Sequence, residues 1–405
     1  MKIAYITANS PYGKQETFVL NEMISLNRLD LQLQIIPRDA DGKIYNRDGL
    51  SLIEQTLKIP WFSPEILICL LLFIMKHPLQ YLKLIHSIIL KARTIKIGIK
   101  NLIILPKSIY ISRLLKSMNI SHIHAHWAST PSTMAYIINK ITGIPWSFTA
   151  HRWDIAENNI LREKCKTASF VRAISRDGRD DILRIIRDYS LKNKIKVIHM
   201  GVNIPELNGT KPGSNIFTIL CPANLVNVKG HEYLLDACRL LDIKDFEFKC
   251  MIAGDGPLEN DLKAFVSKNG LDKKVFFLGR IPHEELLNLY KERQINVVVL
   301  PSIITEDGEK EGIPVALMEA MSFGIPVIAT DTGGIAELLR DECGIMVEEK
   351  NSKAIADAIE QLYTDNDYYD YISRKGRERV SQMFNLTIIS QELLRLFSDH
   401  CIRYE

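Results

Sequence analysis

Short apolar runs alternate with amphipathic segments along the second half of the chain. The runs lie at 217–221, 248–253, 275–278, 296–300 and 326–329, and apolar residues at helical spacing follow near 230–241, 257–268, 284–292 and 314–323. Short apolar runs are typical of buried strands, and their alternation with helices predicts a parallel sheet covered on both faces. Three more helices are expected near 352–364, 367–382 and 386–400.

The first half has a similar pattern with longer interruptions. Strands are predicted at 3–6, 31–36, 121–127, 145–150, 170–174 and 196–200. The segment 206–215 is rich in Pro, Gly and polar residues, as linkers between domains are. Because 405 residues exceed what one hydrophobic core usually serves, we expect two α/β domains, at 1–205 and 206–385.

Composition changes this picture through charge. Hydrophobic and charged shares of 46% and 24% are ordinary for a globular protein. The net charge of +3 conceals an asymmetry, because residues 1–200 hold 29 Lys and Arg against 15 Asp and Glu, whereas residues 201–405 hold 22 against 33. The two halves are therefore expected to meet different partners.

Cysteine usage and the start of the chain point to a reducing compartment. The seven cysteines are an odd number without C-x-x-C spacing, which argues against a disulfide framework or a zinc site. The first apolar run is too short for the core of a signal peptide and is predicted to be a strand.

The region after Glu65 is basic and apolar. No Asp or Glu occurs between Glu65 and Asp154, and the ten-residue apolar run 66–75 is shorter than the ~17–25 residues that span a bilayer. One interpretation is an anionic membrane surface bound through the basic residues 76–116. The other is helices buried against the sheet with solvated lysines. The first is favoured, because a solvated face does not require the absence of acids.

Four histidines are candidates for chemistry. His122, His124 and His126 fall on one face of the strand 121–127. They could bind a metal, but no acid or cysteine lies near them in sequence, so a polar cleft or core hydrogen bonds are favoured. His151 follows the strand 145–150, at the edge where open α/β sheets bind ligands. It is either a site residue or a structural one.

The stretch 311–338, EGIPVALMEAMSFGIPVIATDTGGIAEL, is the most informative. Pro314 is predicted to be the first helical residue, which leaves the N–H groups of Val315 and Ala316 as an anion site. Glu311 and Glu319 would lie roughly 10–12 Å apart, too far for a glycosidase pair, which needs roughly 5–9.5 Å. The span suits a nucleotide-diphosphate sugar, with hydroxyls at both ends and phosphate between.

Two turns of the second half can contribute. The turn 222–230 brings Lys229 to a helix start, where it either clamps a phosphate or is solvated. The turn at Gly254 to Pro257 is predicted to be structural.

Taken together, EGIPVALMEAMSFGIPVIATDTGGIAEL, AGDGPLENDLKAFV, FFLGRIPHEELLNLY, HIHAHW, SFTAHRWDI and GVNIP resemble the family-4 retaining glycosyltransferases of GT-B fold. The similarity is greatest to bacterial colanic-acid and exopolysaccharide biosynthesis transferases. It is strongest over about 120–340, and QETFVLNEM near the start also resembles that subgroup. It implies two Rossmann-like domains facing each other across a cleft, with the last helix, 386–405, packed back on the first domain.

The resemblance implies roles for the matching residues. Glu311 would hold hydroxyls of the donor sugar, and Glu319 the ribose. Lys229 would add a cation to the diphosphate, and His151 would approach the sugar from the first domain. The remaining donor-binding positions implied in this way are Gly13, Asn224, Arg280, Ile281, Gly312, Ile313, Pro314, Val315 and Ala316.

Asn224 departs from the family pattern. The family usually has an arginine in a G-R-L sequence where this chain has Ala223, Asn224 and Leu225. A guanidinium can fork onto a phosphate and an amide cannot. Either the diphosphate is held otherwise or donor use is impaired.

The implied function is a metal-independent, retaining transfer of sugar from a nucleotide diphosphate to a lipid-linked glycan, with His151, Glu311 and Lys229 as catalytic residues. The implied place is the inner face of a bacterial cell membrane, in cell-surface or exopolysaccharide biosynthesis. Two alternatives stay open: a sugar-nucleotide 2-epimerase of the same fold, and a non-catalytic sugar-nucleotide-binding partner in an assembly complex.

Overall fold

A computed structural model describes residues 1–10, 13, 17–40, 47–207 and 216–402. The chain divides into two compact units, residues 1–200 with 386–405 and residues 201–385. The division falls five residues before the expected one because the segment after Met200 is bound to the second unit: Val202 N donates to Phe384 O at 2.9 Å, and Arg377 Nη2 donates to Pro205 O at 2.7 Å. Most of the predicted linker, 208–215, lies outside the described residues.

Twelve strands lie in the described part of the chain. They are β1 (Lys2–Asn9), β2 (Gln32–Asp39), β3 (His122–His126), β4 (Trp146–Ala150), β5 (Phe170–Ala173), β6 (Ile195–Val197), β7 (Phe217–Pro222), β8 (Phe248–Ala253), β9 (Val275–Gly279), β10 (Val297–Leu300), β11 (Val327–Thr330) and β12 (Ile345–Val347).

The helices of the first 200 residues are α1 (Thr17–Arg28), α2 (Pro64–Lys76), α3 (Pro78–Ile85), α4 (Ile95–Lys116), α5 (Thr130–Thr142), α6 (Arg152–Glu157), α7 (Leu161–Thr167) and α8 (Arg176–Ile186). Those that follow are α9 (His231–Ile243), α10 (Glu259–Lys268), α11 (His283–Lys291), α12 (Val315–Ser322), α13 (Ile335–Leu339), α14 (Ser352–Thr364), α15 (Asn366–Met383) and α16 (Leu386–His400). A π-helical turn, His86–Leu90, follows α3.

The first unit is built on a parallel sheet of order β2-β1-β3-β4-β5-β6. Its central strands β1, β3, β4 and β5 are buried on both faces, as apolar runs such as that of β1 predict. α16 packs against α1, with Leu393 and Phe397 fully buried in the same cluster as Tyr5 and Leu20. The order of the strands reverses direction between β1 and β3, which makes the carboxyl edge at that point the expected ligand site.

The second unit has a parallel sheet of order β12-β11-β10-β7-β8-β9, with its reversal between β7 and β10. Its strands coincide with the predicted ones within one or two residues. β12 was not predicted, because three residues at the sheet edge, partly exposed, are too short for a recognisable apolar run. Both units are thus doubly wound α/β, as predicted.

α2 and α3 form the apolar region of the first unit. Within the described residues, no single helix has the length and apolar character to cross a membrane, although Pro64–Lys76 and Pro78–Leu90 together meet that test with a bend of 109° between them.

Candidate active site

An ion pair lies at the reversal point of the second sheet. Lys229 follows β7 and Glu311 follows β10, and the Lys229 ammonium donates to Glu311 Oε2. Ser302 Oγ donates to the same oxygen at 3.3 Å. The two charged side chains are 82 positions apart in sequence but adjacent in space, because parallel neighbours β7 and β10 end at the same edge. A cation and an acceptor of hydroxyl protons therefore sit side by side.

Gly333 and Gly334 support the loop that carries Glu311. Gly334 N donates to Glu311 O at 3.2 Å. A Cβ on Gly333 would lie 1.9 Å from Glu311 O, and one on Gly334 would lie 2.8 Å from the carbonyl carbon of Gly312. Gly333 also has φ +55. The backbone of Glu311 and Gly312 can approach this closely only because both positions lack a side chain. The G-G dipeptide was visible in the sequence, but its partner was not.

The helix after Glu311 begins one residue later than predicted. Pro314 has ψ 120 and is the N-cap, so α12 starts at Val315 and the prediction that Pro314 is the first helical residue is wrong. The extended ψ excludes it from the helix. The roughly 10–12 Å estimate assumed helical rise from Glu311 onward, whereas residues 311–314 are not helical. The first-turn N–H groups of Val315 and Ala316 still face the start of the helix without intrahelical acceptors.

Glu319 lies one turn into α12 and contacts a residue that the sequence analysis missed. His283 Nε2 is 2.7 Å from Glu319 Oε1. His283 begins α11, two residues after Ile281, and Arg280 follows β9 directly. Arg280 is exposed and Ile281 is half-buried. The contact brings the β9 loop to the carboxylate, so the positions predicted for base and ribose belong to one neighbourhood.

The turn after β7 is held by the glycines of the G-D-G sequence. A Cβ on Gly254 would lie 2.0 Å from Ala223 O, and one on Gly256 would lie 2.4 Å from Leu225 O. The structural interpretation of that motif is consistent with these contacts. Asn224, between the two carbonyls, is exposed, and its own carbonyl accepts from Val226 N at 2.9 Å.

His151 belongs to a buried network in the first unit. It follows β4, and its Nε2 is 2.8 Å from Nε2 of His126 at the end of β3. One of these nitrogens must carry the shared proton and the other must accept it. Burial lowers the pKa of His151 well below its ordinary value, so the ring is neutral near pH 7. The Trp127 ring packs against it, tilted by 33°, with ring centroids 4.2 Å apart.

Glu22 and Arg172 anchor this network. Arg172 Nη1 donates to Glu22 Oε2 at 2.5 Å, Tyr5 Oη donates to Glu22 Oε1 at 2.6 Å, and His126 Nδ1 is 3.6 Å from that oxygen. Glu22 and Arg172 are fully buried. Burial is the largest single influence and opposes ionisation of Glu22, but the Arg172 guanidinium together with hydrogen bonds from His126 and Tyr5 outweighs it and holds the pKa of the carboxyl far below its usual range. The negative charge of Glu22 is thus separated from His151 by a single histidine, His126.

His122 and His124 are structural. His122 Nε2 and His124 Nδ1 are each hydrogen-bonded to Ser147 Oγ at 2.8 Å. His124 Nε2 is also hydrogen-bonded to Thr149 Oγ1 at 3.0 Å. Burial lowers the pKa of His122 to about 3. Within the ranges that the structure describes, no group of three His, Cys, Asp or Glu is arranged to hold a metal ion.

Gly13 lies in the turn after β1, at the reversal point of the first sheet, where its N donates to Ser10 O at 2.9 Å. Pro11 and Gln15 of that turn are outside the described residues.

The sequence analysis missed three members of the buried network around His151, namely Trp127, Glu22 and Arg172. QETFVLNEM and HIHAHW pointed to two of them, but only the fold joins them to His151.

Two family models match the chain in succession. Residues 16–205 match Glycosyltransferase Family 4, and residues 208–379 match Glycosyl transferases group 1. Both models describe glycosyltransferases, so neither match favours the epimerase hypothesis or the hypothesis of a non-catalytic partner.

Two similar proteins are named for polysaccharide biosynthesis. The chain is 35% identical over 211 residues to one named as the colanic acid biosynthesis glycosyltransferase WcaL, from Escherichia coli K12, and this match spans about half of each chain (51%). It is 27% identical to the amylovoran biosynthesis glycosyltransferase AmsK of Erwinia amylovora, over 98% of this chain and 99% of that one.

Solved structures share the fold over nearly the whole chain. A glycosyltransferase from Rickettsia africae has a TM-score of 0.69 at 19% identity, covering 98% of both chains. The Anabaena protein HepE, solved in complex with UDP, has a TM-score of 0.70 at 18% identity, covering 98% of this chain and 100% of that one. Together with the two doubly wound sheets, the matches over 16–205 and 208–379 show that this chain belongs to the family-4 glycosyltransferases of GT-B fold.

Proposed function

We propose that the protein transfers a sugar from a nucleotide-diphosphate donor to a glycan acceptor in bacterial exopolysaccharide biosynthesis. The observation that carries the proposal is the Lys229–Glu311 pair at the reversal point of the second sheet, beside the start of α12. The names of the colanic acid and amylovoran relatives support the polysaccharide context. The UDP and UDP-glucose complexes of HepE support a nucleotide sugar as the donor class.

The proposed donor lies along the carboxyl edge of the second sheet. Glu319 and the β9 loop hold the nucleoside, the first N–H groups of α12 hold the diphosphate, and Glu311 holds hydroxyls of the sugar. Lys229 stabilises the negative charge that develops on the departing diphosphate, since fixed positive groups act most strongly where charge appears in the transition state. A protein cation and a helix dipole supply this stabilisation in the proposed mechanism, which needs no metal ion.

The proposed transfer retains configuration at the anomeric carbon, with the acceptor hydroxyl entering on the side that the diphosphate leaves. His151, a catalytic residue in this proposal, is a neutral imidazole, which donates or accepts a hydrogen bond without adding charge. The acceptor is proposed to be a lipid-linked glycan at the cytoplasmic face of the cell membrane, because the first unit carries the basic and apolar region.

Binding and transfer separate the roles of the two glutamates. Glu319→Ala should weaken binding of free UDP or GDP, because the carboxylate that holds the ribose hydroxyls is gone, by roughly tenfold or more for a charged hydrogen bond. Glu311→Ala should leave binding of the free nucleotide within about threefold of wild type and abolish transfer from the nucleotide sugar. Titration calorimetry and product detection with membrane extract measure the two effects.

Glu309→Ala is a matched control, since Glu309 is an exposed acid in the loop that carries Glu311. If Glu319→Ala binds nucleoside diphosphates as the control does, Glu319 is not the ribose ligand. Tight nucleotide-sugar binding by the wild type without any product would refute the transferase proposal.

A further inference from the structure

Three consecutive helices of the first unit expose apolar side chains. Twelve of the 27 exposed large apolar residues in the described part of the chain fall between Leu67 and Ile103, in α2, α3 with its π-turn, and α4. Met75, Leu79 and Ile95 are 77%, 73% and 85% exposed. This concentration contrasts with the single exposed apolar residues that are normal elsewhere on a soluble surface.

The exposed positions of each helix lie on one face. In α2 they are 67, 68, 71, 72 and 75, and in α4 they are 95, 99, 102 and 103, which recur with the helical period. The opposite faces are buried in the core, through Ile66 and Cys69 in α2 and through Ile97 and Ile104 in α4. A helix that is apolar on both faces fits contact with the protein on one side and with a second apolar medium on the other.

Unpaired positive charge borders these faces. A cavity of about 1100 Å³ beside α3 is lined by Lys76, Lys83, Lys91 and Lys140 together with Leu79 and Leu82. Lys91 is paired with Glu163 at 3.0 Å, which also lines the cavity. Within the portion of the chain that the structure describes, Lys76 and Lys83 form no ion pair, and no acid occurs in the sequence between residues 65 and 154. Lysine ammonium groups can bind phosphate as point charges.

We propose that the exposed apolar faces of α2, α3 and α4 dock on an anionic phospholipid membrane, with lipid phosphates in the lysine-lined cavity. Apolar side chains on one face and lysines beside them are the arrangement of interfacial helices. A second copy of the chain is a poorer occupant, because a symmetric dimer would bury the same lysine-bordered surface on both sides and bring positive charge toward positive charge. The residues that line the cavity include none of the candidate site residues, and the proposal does not depend on sugar transfer.

Co-sedimentation of the full chain with vesicles tests the apolar faces. The vesicles are phosphatidylcholine alone or phosphatidylcholine with phosphatidylglycerol. Wild type should bind the anionic vesicles more strongly. The double variant Leu79→Asp/Leu82→Asp should lower the partition coefficient at least about tenfold, because two apolar contacts are replaced by repelled charges. Ile243→Asp, at an apolar residue of the second unit that is 67% exposed, should bind as wild type does.

The lysines are tested separately. Lys76→Gln/Lys83→Gln should weaken binding to the anionic vesicles by roughly tenfold to thirtyfold and leave binding to phosphatidylcholine unchanged. Lys268→Gln/Lys353→Gln, at exposed lysines of the second unit, removes the same charge as a control and should have no such effect.

Three results would overturn the proposal. Wild type fails to sediment with anionic vesicles, or Leu79→Asp/Leu82→Asp sediments as Ile243→Asp does. The third result is a dimer, detected by light scattering, that Leu79→Asp/Leu82→Asp abolishes, while neither wild type nor this variant binds vesicles. The exposed faces would then be an interface between copies of the chain.

Discussion

Gly333→Ala places a methyl group where the loop of Glu311 lies. The added Cβ would be 1.9 Å from Glu311 O and 2.9 Å from its carbonyl carbon, in a backbone conformation with φ +55. Two costs follow. The left-handed conformation costs a residue with a side chain about 1–2 kcal/mol, and overpacking against backbone costs a further ~1–3 kcal/mol.

Gly270→Ala separates these costs. Gly270 has φ +72, lies in the same unit, and a Cβ there meets nothing within 4 Å. It should therefore lose only the ~1–2 kcal/mol of the left-handed conformation. The difference between the two variants, ~1–3 kcal/mol, measures the contact with Glu311. Urea unfolding followed by circular dichroism gives both free energies of unfolding.

The loop can also relieve the overlap by moving. In that case Gly333→Ala keeps more of its stability but shifts Glu311 away from Lys229, and transfer from the nucleotide sugar falls while Gly270→Ala stays active. The reasoning is refuted if Gly333→Ala matches Gly270→Ala both in unfolding free energy, within about 0.5 kcal/mol, and in transfer rate.

Three further outcomes are expected. Asn224→Arg should tighten binding of UDP or GDP by about tenfold in calorimetry, because a guanidinium forks onto phosphate, and unchanged affinity would show that this turn does not face the diphosphate. Glu22→Gln should lower the free energy of unfolding by about 3–5 kcal/mol, because it leaves the buried Arg172 cation unpaired, whereas Glu54→Gln at an exposed position should cost almost nothing; equal thermal midpoints would contradict this. Since burial lowers the pKa of His122 to about 3, the unfolded state binds more protons between that value and about 6.5, so stability should fall with pH below about 6.5 by up to ~1.4 kcal/mol per pH unit. His122→Gln should flatten that profile in urea titrations from pH 7.5 to 5, and an unaltered slope would assign the acid sensitivity to other groups.

The sequence by itself determined the elements and the family. Strands and helices have periods of two and 3.6 residues that are local properties of the chain, so β8 and the helices α14 and α16 lie where the pattern predicted them. The stretch 311–338 could likewise be interpreted from the sequence alone, because a proline, two glutamates and a helix start fall within a few residues. The error at Pro314 was local too, because proline is favoured at more than one position of a helix start.

The contacts between distant segments were decided only by the tertiary structure. Glu22 and Arg172 are 150 positions apart, yet they share a buried ion pair beside His126 and His151. Gly333 meets Glu311, and His283 meets Glu319, across different loops of one sheet edge. Sequence spacing does not encode such pairs, because they depend on the order of strands in a sheet. The sequence also did not show which faces of α2 and α4 are exposed, because an apolar run does not indicate which of its sides the core will cover.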